Sequence, residues 1–166
     1  MADVADIFRR VTTGVYVIGV AEGERRNAFT AAWLTQVSFD PLLLALSVNP
    51  EHASYPLMLG GGGFVVSVLR RDQLRLAEAF GTRSGRDQDK LAGVPWRPAP
   101  SGAPILTDAL AWLDCRLHDR FRAGDHEIIL ARPVAGELVA SDAPPLLYPE
   151  TGELDGSREL YPASLG

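Results

Sequence analysis

From Leu110 onward the chain alternates: Ala111, Leu113, Cys115 and Leu117 fall on one side, and Trp112, Asp114, Arg116 and His118 on the other. A period of two is that of a half-buried β-strand. A tight connection at Ala123-Gly124-Asp125 leads into a long strand, His126 to Val134, that continues toward Val139 past an expected bulge. Near the start, Val15-Tyr16-Val17-Ile18-Gly19-Val20 is rich in β-branched and aromatic residues, and Glu22 to Arg26 reads as a hairpin loop, so the chain opens as a β-meander. Leu42 to Val48 is a near-continuous apolar run of buried-strand length, set off by the turn at Asp40-Pro41. Phe64 to Leu69 and the short Pro144 to Tyr148 complete the strands.

Helix signals are fewer. Asp3 is placed to cap a short helix with Val4, Ile7 and Phe8 on one face. Ser54 as N-cap, Pro56 in the first turn and Gly60 beyond the end predict a second. Asp72 to Gly81 is the clearest, capped by Asp72, apolar at Leu74, Leu76, Ala77, Ala79 and Phe80, and stopped by Gly81. Thr82 to Pro104 is a long irregular segment with a brief helical turn expected around Asp87–Leu91, and loops of that length usually carry function or move. Short antiparallel strands with two or three short helices predict a mainly β chain of α+β class, folded as one domain over residues 1–166 into a closed or split β-barrel rather than a sandwich.

Charge and composition narrow the partners. The net charge of −5 and pI near 5.2 argue against nucleic acid, which needs clustered Lys and Arg; here sixteen basic residues, nearly all Arg, are scattered. No apolar run approaches the roughly 20 residues that cross a bilayer, and the first residues lack the basic and apolar regions of a secretory signal. The single Cys115 excludes an internal disulfide and fits a reducing compartment, so a soluble cytoplasmic protein is expected. Three histidines without HExxH or paired carboxylates argue against a metal site.

The stretch from Asn27 to Asn49 organises the chemistry. Small and hydroxylated residues, Thr30, Ala31, Ala32, Thr35 and Ser38, sit among apolar ones, a surface suited to a flat ligand and devoid of a strong acid, base or thiol. Gly60 to Gly63 invites comparison with a phosphate loop, but these glycines follow a helix and open a strand, the reverse of the phosphate-loop order. Ser54, at a helix start, offers backbone N–H groups to an anion. His52 is either a cation beside such an anion or a loop residue, and His118 falls on the solvated face of its strand. Cys115 reads as a buried small hydrophobe. Trp33 is a ligand neighbour or core, and Trp96 and Tyr148 are candidates to border a pocket.

Phe29-Thr-Ala-Ala-Trp-Leu-Thr-Gln-Val-Ser-Phe-Asp-Pro41, Phe64 to Leu69, Gly93-Val-Pro-Trp96, Gly102-Ala-Pro-Ile-Leu106, Leu113-Asp-Cys115, Gly124-Asp-His126 and Pro145-Leu-Leu-Tyr148 together resemble the flavin reductase-like, FMN-binding split-barrel family. The resemblance runs from about Phe8 to Tyr148 and implies a homodimeric, six-stranded antiparallel split barrel of Greek-key type that binds FMN or FAD, with NADH or NADPH reducing the flavin. It implies that Thr30, Ala31, Ala32, Trp33 and Thr35 line the isoalloxazine and ribityl chain. Ser47, Val48, Asn49, His52, Ser54 and Tyr55 match the strand end and turn that hold the phosphate. Lys90 matches a position within reach of phosphate or nicotinamide dinucleotide. Gly124, Asp125 and His126 match the nicotinamide-side motif, with His126 the candidate catalytic residue. Ala32-Trp33 stands where the family usually has Asn-Ser, and Ser67 where it has Asn, departures that bear on pocket shape and flavin preference.

The implied chemistry is hydride transfer from nicotinamide to flavin N5, with reduced flavin supplied to a monooxygenase partner. The protein would contribute orientation and electrostatics, which accounts for a central stretch with no acid or base. Two rivals stand beside it: a flavoredoxin-like FMN electron carrier not reduced directly by NAD(P)H, and a barrel that holds another flat ligand such as haem or serves as a partner-binding module.

Overall fold

The computed structural model describes residues 3–82, 84–85 and 88–166. The chain runs α1 (Val4–Phe8), β1 (Tyr16–Glu22), β2 (Arg25–Ala31), β3 (Leu34–Phe39), β4 (Leu42–Val48), α2 (Tyr55–Gly61), β5 (Gly63–Val68), α3 (Leu74–Thr82), β6 (Trp96–Pro98), β7 (Pro104–Leu106), β8 (Ala111–Ala123) and β9 (His126–Leu138). Seven strands form one antiparallel sheet in the order β2-β1-β5-β8-β9-β4-β3, and β6 pairs with β7 alone. The sheet has one strand more than the six expected and does not close, because no ladder joins β2 to β3.

Connectivity curls this sheet. β2 and β3 are successive in sequence but occupy opposite edges, with only Ala32 and Trp33 between them. Three residue steps span at most about 11 Å, so the two edges must meet at this link. The Trp33 carbonyl accepts from the Ser47 N–H at 2.9 Å, which fastens the link to the β4 side. The opening meander therefore stops after the β1–β2 hairpin, and β3 pairs instead with β4 around the Asp40-Pro41 turn.

β1 is buried from Val17 to Ala21, so both faces of the sheet are covered there. On one face Ile18, Val20, Phe29, Leu46, Phe64, Val66, Cys115 and Ile129 pack with Leu57 and Met58 of α2. On the other, Val15, Val17, Ala28 and Leu69 pack with Ala77 and Phe80 of α3. A third cluster, with Ile105 and Ala103 of the β6–β7 region against Val65 and Trp112, covers the start of β8. That cover buries Trp112 and Asp114, which alternation alone had placed on a polar face; Asp114 Oδ2 accepts from the Ser101 N–H at 2.9 Å. Two bulges, at Val134 of β9 and at His118 of β8, shift the β8–β9 register.

Several local expectations change. α1 buries Val4 and Ala5, while Ile7 and Phe8 are half exposed, and Asp3 makes no side-chain cap. α2 runs through Gly60 and ends at Gly62, whose φ of +75° suits glycine alone. Gly61 must be glycine for another reason, since a Cβ there would overlap the Ala21 carbonyl. Arg71–Gln73 is a 3₁₀ turn ahead of α3, so Asp72 pairs with Arg70 at 3.0 Å instead of capping, and α3 continues through Gly81 to Thr82. The irregular segment contains β6, and the turn expected around Asp87–Leu91 lies partly outside the described residues. Pro144 to Tyr148 is not a strand; it makes isolated bridges, Gly14 to Leu147 and Arg70 to Pro145. Among the described residues no helix is long and apolar enough to cross a membrane.

Candidate functional site

Where the sheet edges meet, Thr30, Ala31, Ala32 and Trp33 form the floor of an open cleft of about 270 Å³. Its walls are Phe29, the end of β4 at Ser47, Val48 and Asn49, then His52, the end of α3 at Phe80 and Gly81, the start of β9 at His126, and Tyr148, Asp155 and Ser157 from the C-terminal segment. Two further depressions adjoin it. One, lined by Asn49, Glu51, His52, Ala53, Gly81, Thr82 and Ser84, lies beyond the β4 end. The other lies between α3 and the C-terminal segment and shares Thr30, Ala31, Ala32 and Asp155 with the cleft.

Local chemistry positions each wall. Thr30 Oγ1 donates to the Ala77 carbonyl at 2.7 Å, which ties β2 to α3 and leaves the alanines to make a flat surface. After β4, Asn49 Oδ1 accepts from the Glu51 N–H at 2.9 Å and the Asn49 carbonyl from the His52 N–H at 3.0 Å, an Asx-type turn. His52 Nδ1 accepts from the Ser54 N–H at 3.2 Å, so that nitrogen carries no proton and the ring is the Nε2–H tautomer; the ring packs 4.5 Å from that of Phe29. The φ of +64° at Gly124 forms the β8–β9 turn and delivers His126 to the cleft. His126 lies 5.0 Å from Trp33, ring centroid to centroid at 51°, and its Nδ1 is 2.8 Å from Asp125 Oδ1, a contact that holds the Asp125 carboxyl below its ordinary range.

Nine of the fifteen site residues that the family resemblance implies thus share one cleft: Thr30, Ala31, Ala32, Trp33, Ser47, Val48, Asn49, His52 and His126. Six do not line it. Thr35 is exposed along β3, and Gly124 and Asp125 form the turn that presents His126. Ser54 is completely buried, its Oγ accepting from Asn27 Nδ2 at 2.8 Å, so its hydroxyl faces the interior and not an anion. The Tyr55 hydroxyl bonds Glu127 and, at 2.8 Å, Arg120, which turns it toward the β8–β9 hairpin. Lys90 is buried with its Nζ 3.1 Å from the Phe80 carbonyl, and burial lowers its pKa to about 8.

Phe29, Phe80, Gly81, Tyr148, Asp155 and Ser157 line the cleft as well. Tyr148 was already a candidate, and the apolar stripe of α3 could have indicated Phe80. Asp155 and Ser157 carry no sequence signal and arrive by long-range tethering. Arg158, beside them, pairs with Asp3 at 2.7 Å, Asp6 at 2.5 Å and Glu153 at 3.1 Å, while Arg9 pairs with Glu153 at 3.5 Å.

A sequence profile described as the flavin reductase like domain matches residues 8–153. BorF, the flavin reductase component of a bacterial two-component tryptophan halogenase, is similar over 87% of this chain and 91% of its own, at 36% identity and a TM-score of 0.77. The NADH:FAD oxidoreductase SgcE6 of Streptomyces globisporus is similar over 89% of each chain, at 27% identity and a TM-score of 0.79. Diflavin flavoprotein A 1 of Synechocystis sp. is 32% identical over 142 residues, 85% of this chain and 25% of that protein. The chain thus spans about a quarter of the length of the diflavin flavoproteins it matches. With the profile covering most of its length and the cleft built from the segments that carry the likeness, this chain belongs to the flavin reductase-like domain family.

Proposed function

We propose that this chain is a flavin reductase, a single domain over residues 1–166 that binds FMN or FAD and uses NADH or NADPH to reduce it. The observation that carries the reading is the flat, small-residue floor at Ala31 and Ala32, set where two sheet edges meet and flanked by Trp33 and His126. The fit is one of shape and donors: the alanines leave room for a planar ring, and the depression beyond Asn49 offers a loop of backbone groups to an anionic tail. Thr30 to Trp33 would lie along the ring, Ser47 to Asn49 along the ribityl chain, and Asn49, Glu51, His52 and Ala53 with Gly81, Thr82 and Ser84 around the phosphate. The phosphate site is thereby moved off the Ser54 hydroxyl and Lys90, both of which the fold has already engaged.

When bound, the flavin supplies a hydride acceptor for the nicotinamide. The chain's own residues orient and shield: Trp33 and His126 stand at one side of the cleft, where His126 would position the nicotinamide amide or ribose. Reduced flavin would then pass to a monooxygenase-type partner, in keeping with BorF being the flavin reductase component of a two-component halogenase. A homodimer is part of this reading, supported by the exposed apolar Trp33, Val37, Phe39 and Leu42 along the β3–β4 edge.

Absorbance of the purified protein with FMN, followed by anaerobic NADH or NADPH addition, tests the proposal; bleaching of the flavin band is expected, and absence of any flavin affinity overturns it. Likeness to a segment of the much longer diflavin flavoproteins favours a second reading, an electron carrier with resident FMN. NAD(P)H oxidation that rises with added free flavin selects the reductase, and bound flavin with no NAD(P)H oxidation selects the carrier.

A further inference from the structure

Asp155 brings a negative charge to the cleft where the proposed reaction creates another. Its Oδ2 accepts from the Tyr148 hydroxyl at 2.6 Å and its Oδ1 from the Ser157 N–H at 3.0 Å, and it borders both the cleft and the depression beside α3. Burial works to raise its pKa, but the hydrogen bonds from Tyr148 and Ser157 outweigh it and hold the carboxyl below the ordinary value. Both contacts are neutral donors, and among the described residues Asp155 makes no ion pair and no Lys or Arg lines the cleft. The segment carrying it is anchored on both sides, by Arg9 to Gly152 and Glu153 and by Arg158 to Asp3 and Asp6. The carboxylate is therefore held in place without a direct counter-charge: Arg9 acts on it only at longer range and is itself paired with Glu153.

Reduction adds electron density to the isoalloxazine, and the reduced ring is anionic at neutral pH while the oxidised ring is neutral. A fixed carboxylate in the same cleft leaves the oxidised ring nearly unaffected and repels the reduced one. We propose that Asp155 is a specificity-determining residue that weakens binding of reduced flavin relative to oxidised flavin, so that the product leaves for its acceptor. Glu78, in the wall of the side depression, adds charge of the same sign. The inference rests on the flavin reductase reading and deepens it.

The test is the ratio of dissociation constants for reduced and oxidised FMN, measured anaerobically on the intact chain, for the unmodified protein, Asp155→Asn and Asp142→Asn. Asp142 is exposed after β9 and outside the cleft walls, so it removes the same charge elsewhere. Asp155→Asn is expected to lower the ratio about fivefold, equivalent to raising the potential of bound flavin by about 20 mV for a two-electron couple, and the difference should shrink as salt is raised. Asp142→Asn should leave the ratio unchanged. An unchanged ratio in Asp155→Asn, including equal weakening of both forms, overturns the proposal. If the unmodified protein binds neither form, the reductase reading itself falls and this inference with it.

Discussion

Trp33 and His126 lie 93 positions apart in sequence and meet at 5.0 Å on one side of the cleft, one on the link between the sheet edges and the other at the first position of β9. The pairing depends on one ladder and one hydrogen bond, because β9 lies beside β4 and the Trp33 carbonyl is held by Ser47 of β4. It places an imidazole and an indole beside the floor on which a flavin ring would lie.

His126→Ala is therefore expected to raise the KM for the nicotinamide nucleotide while FMN affinity stays within about twofold, since the ring floor and the Asn49–Ala53 turn are untouched. Steady-state kinetics alongside a flavin titration checks this. Unchanged KM removes His126 from the nicotinamide side.

Gly61→Ala should destabilise the fold, because the new methyl overlaps the Ala21 carbonyl and must push α2 off β1. Overpacking of this kind costs about 1–3 kcal/mol. For a chain of this size that lowers Tm by roughly 3–10 °C, readable by calorimetry.

Lys90 should make stability rise with pH in the weakly alkaline range. Its folded pKa of about 8 lies below the ordinary 10.5, so below about pH 8 both states are protonated and burial of the charge destabilises the fold by a constant amount. Between about 8 and 10.5 the unfolded chain holds more protons than the folded one, and that burden is progressively relieved. Lys90→Met, which has no such proton, should show a flatter Tm profile from pH 7.5 to 9.5 than the unmodified protein. Parallel profiles refute the assignment, and retained flavin affinity in the same variant confirms that Lys90 is not a phosphate ligand.

Arg158→Ala should loosen the wall that carries Asp155. The pairs it breaks are exposed, so Tm should hardly move. Flavin affinity should fall severalfold, and high salt should bring the unmodified protein toward the variant. A titration at two ionic strengths distinguishes this from a purely local effect.

What the amino-acid order determined by itself was the set of elements and the small-residue stretch. The runs Val15–Val20, Leu42–Val48 and Phe64–Leu69 carry strand propensity locally, Asp40-Pro41 and Gly124 force turns locally, and the floor residues Thr30 to Trp33 are contiguous. Tertiary structure decided which edges meet, which face of β8 is covered and which polar groups remain for a ligand. Ser54 is taken by Asn27, Tyr55 by Glu127, Lys90 by Phe80 and Asp114 by Ser101, and the Asp155 wall is fastened to Asp3 and Asp6 at the other end of the chain. A hydroxyl or ammonium has the same composition whether it faces water, a ligand or a backbone carbonyl, and only the arrival of a partner distant in sequence settles which.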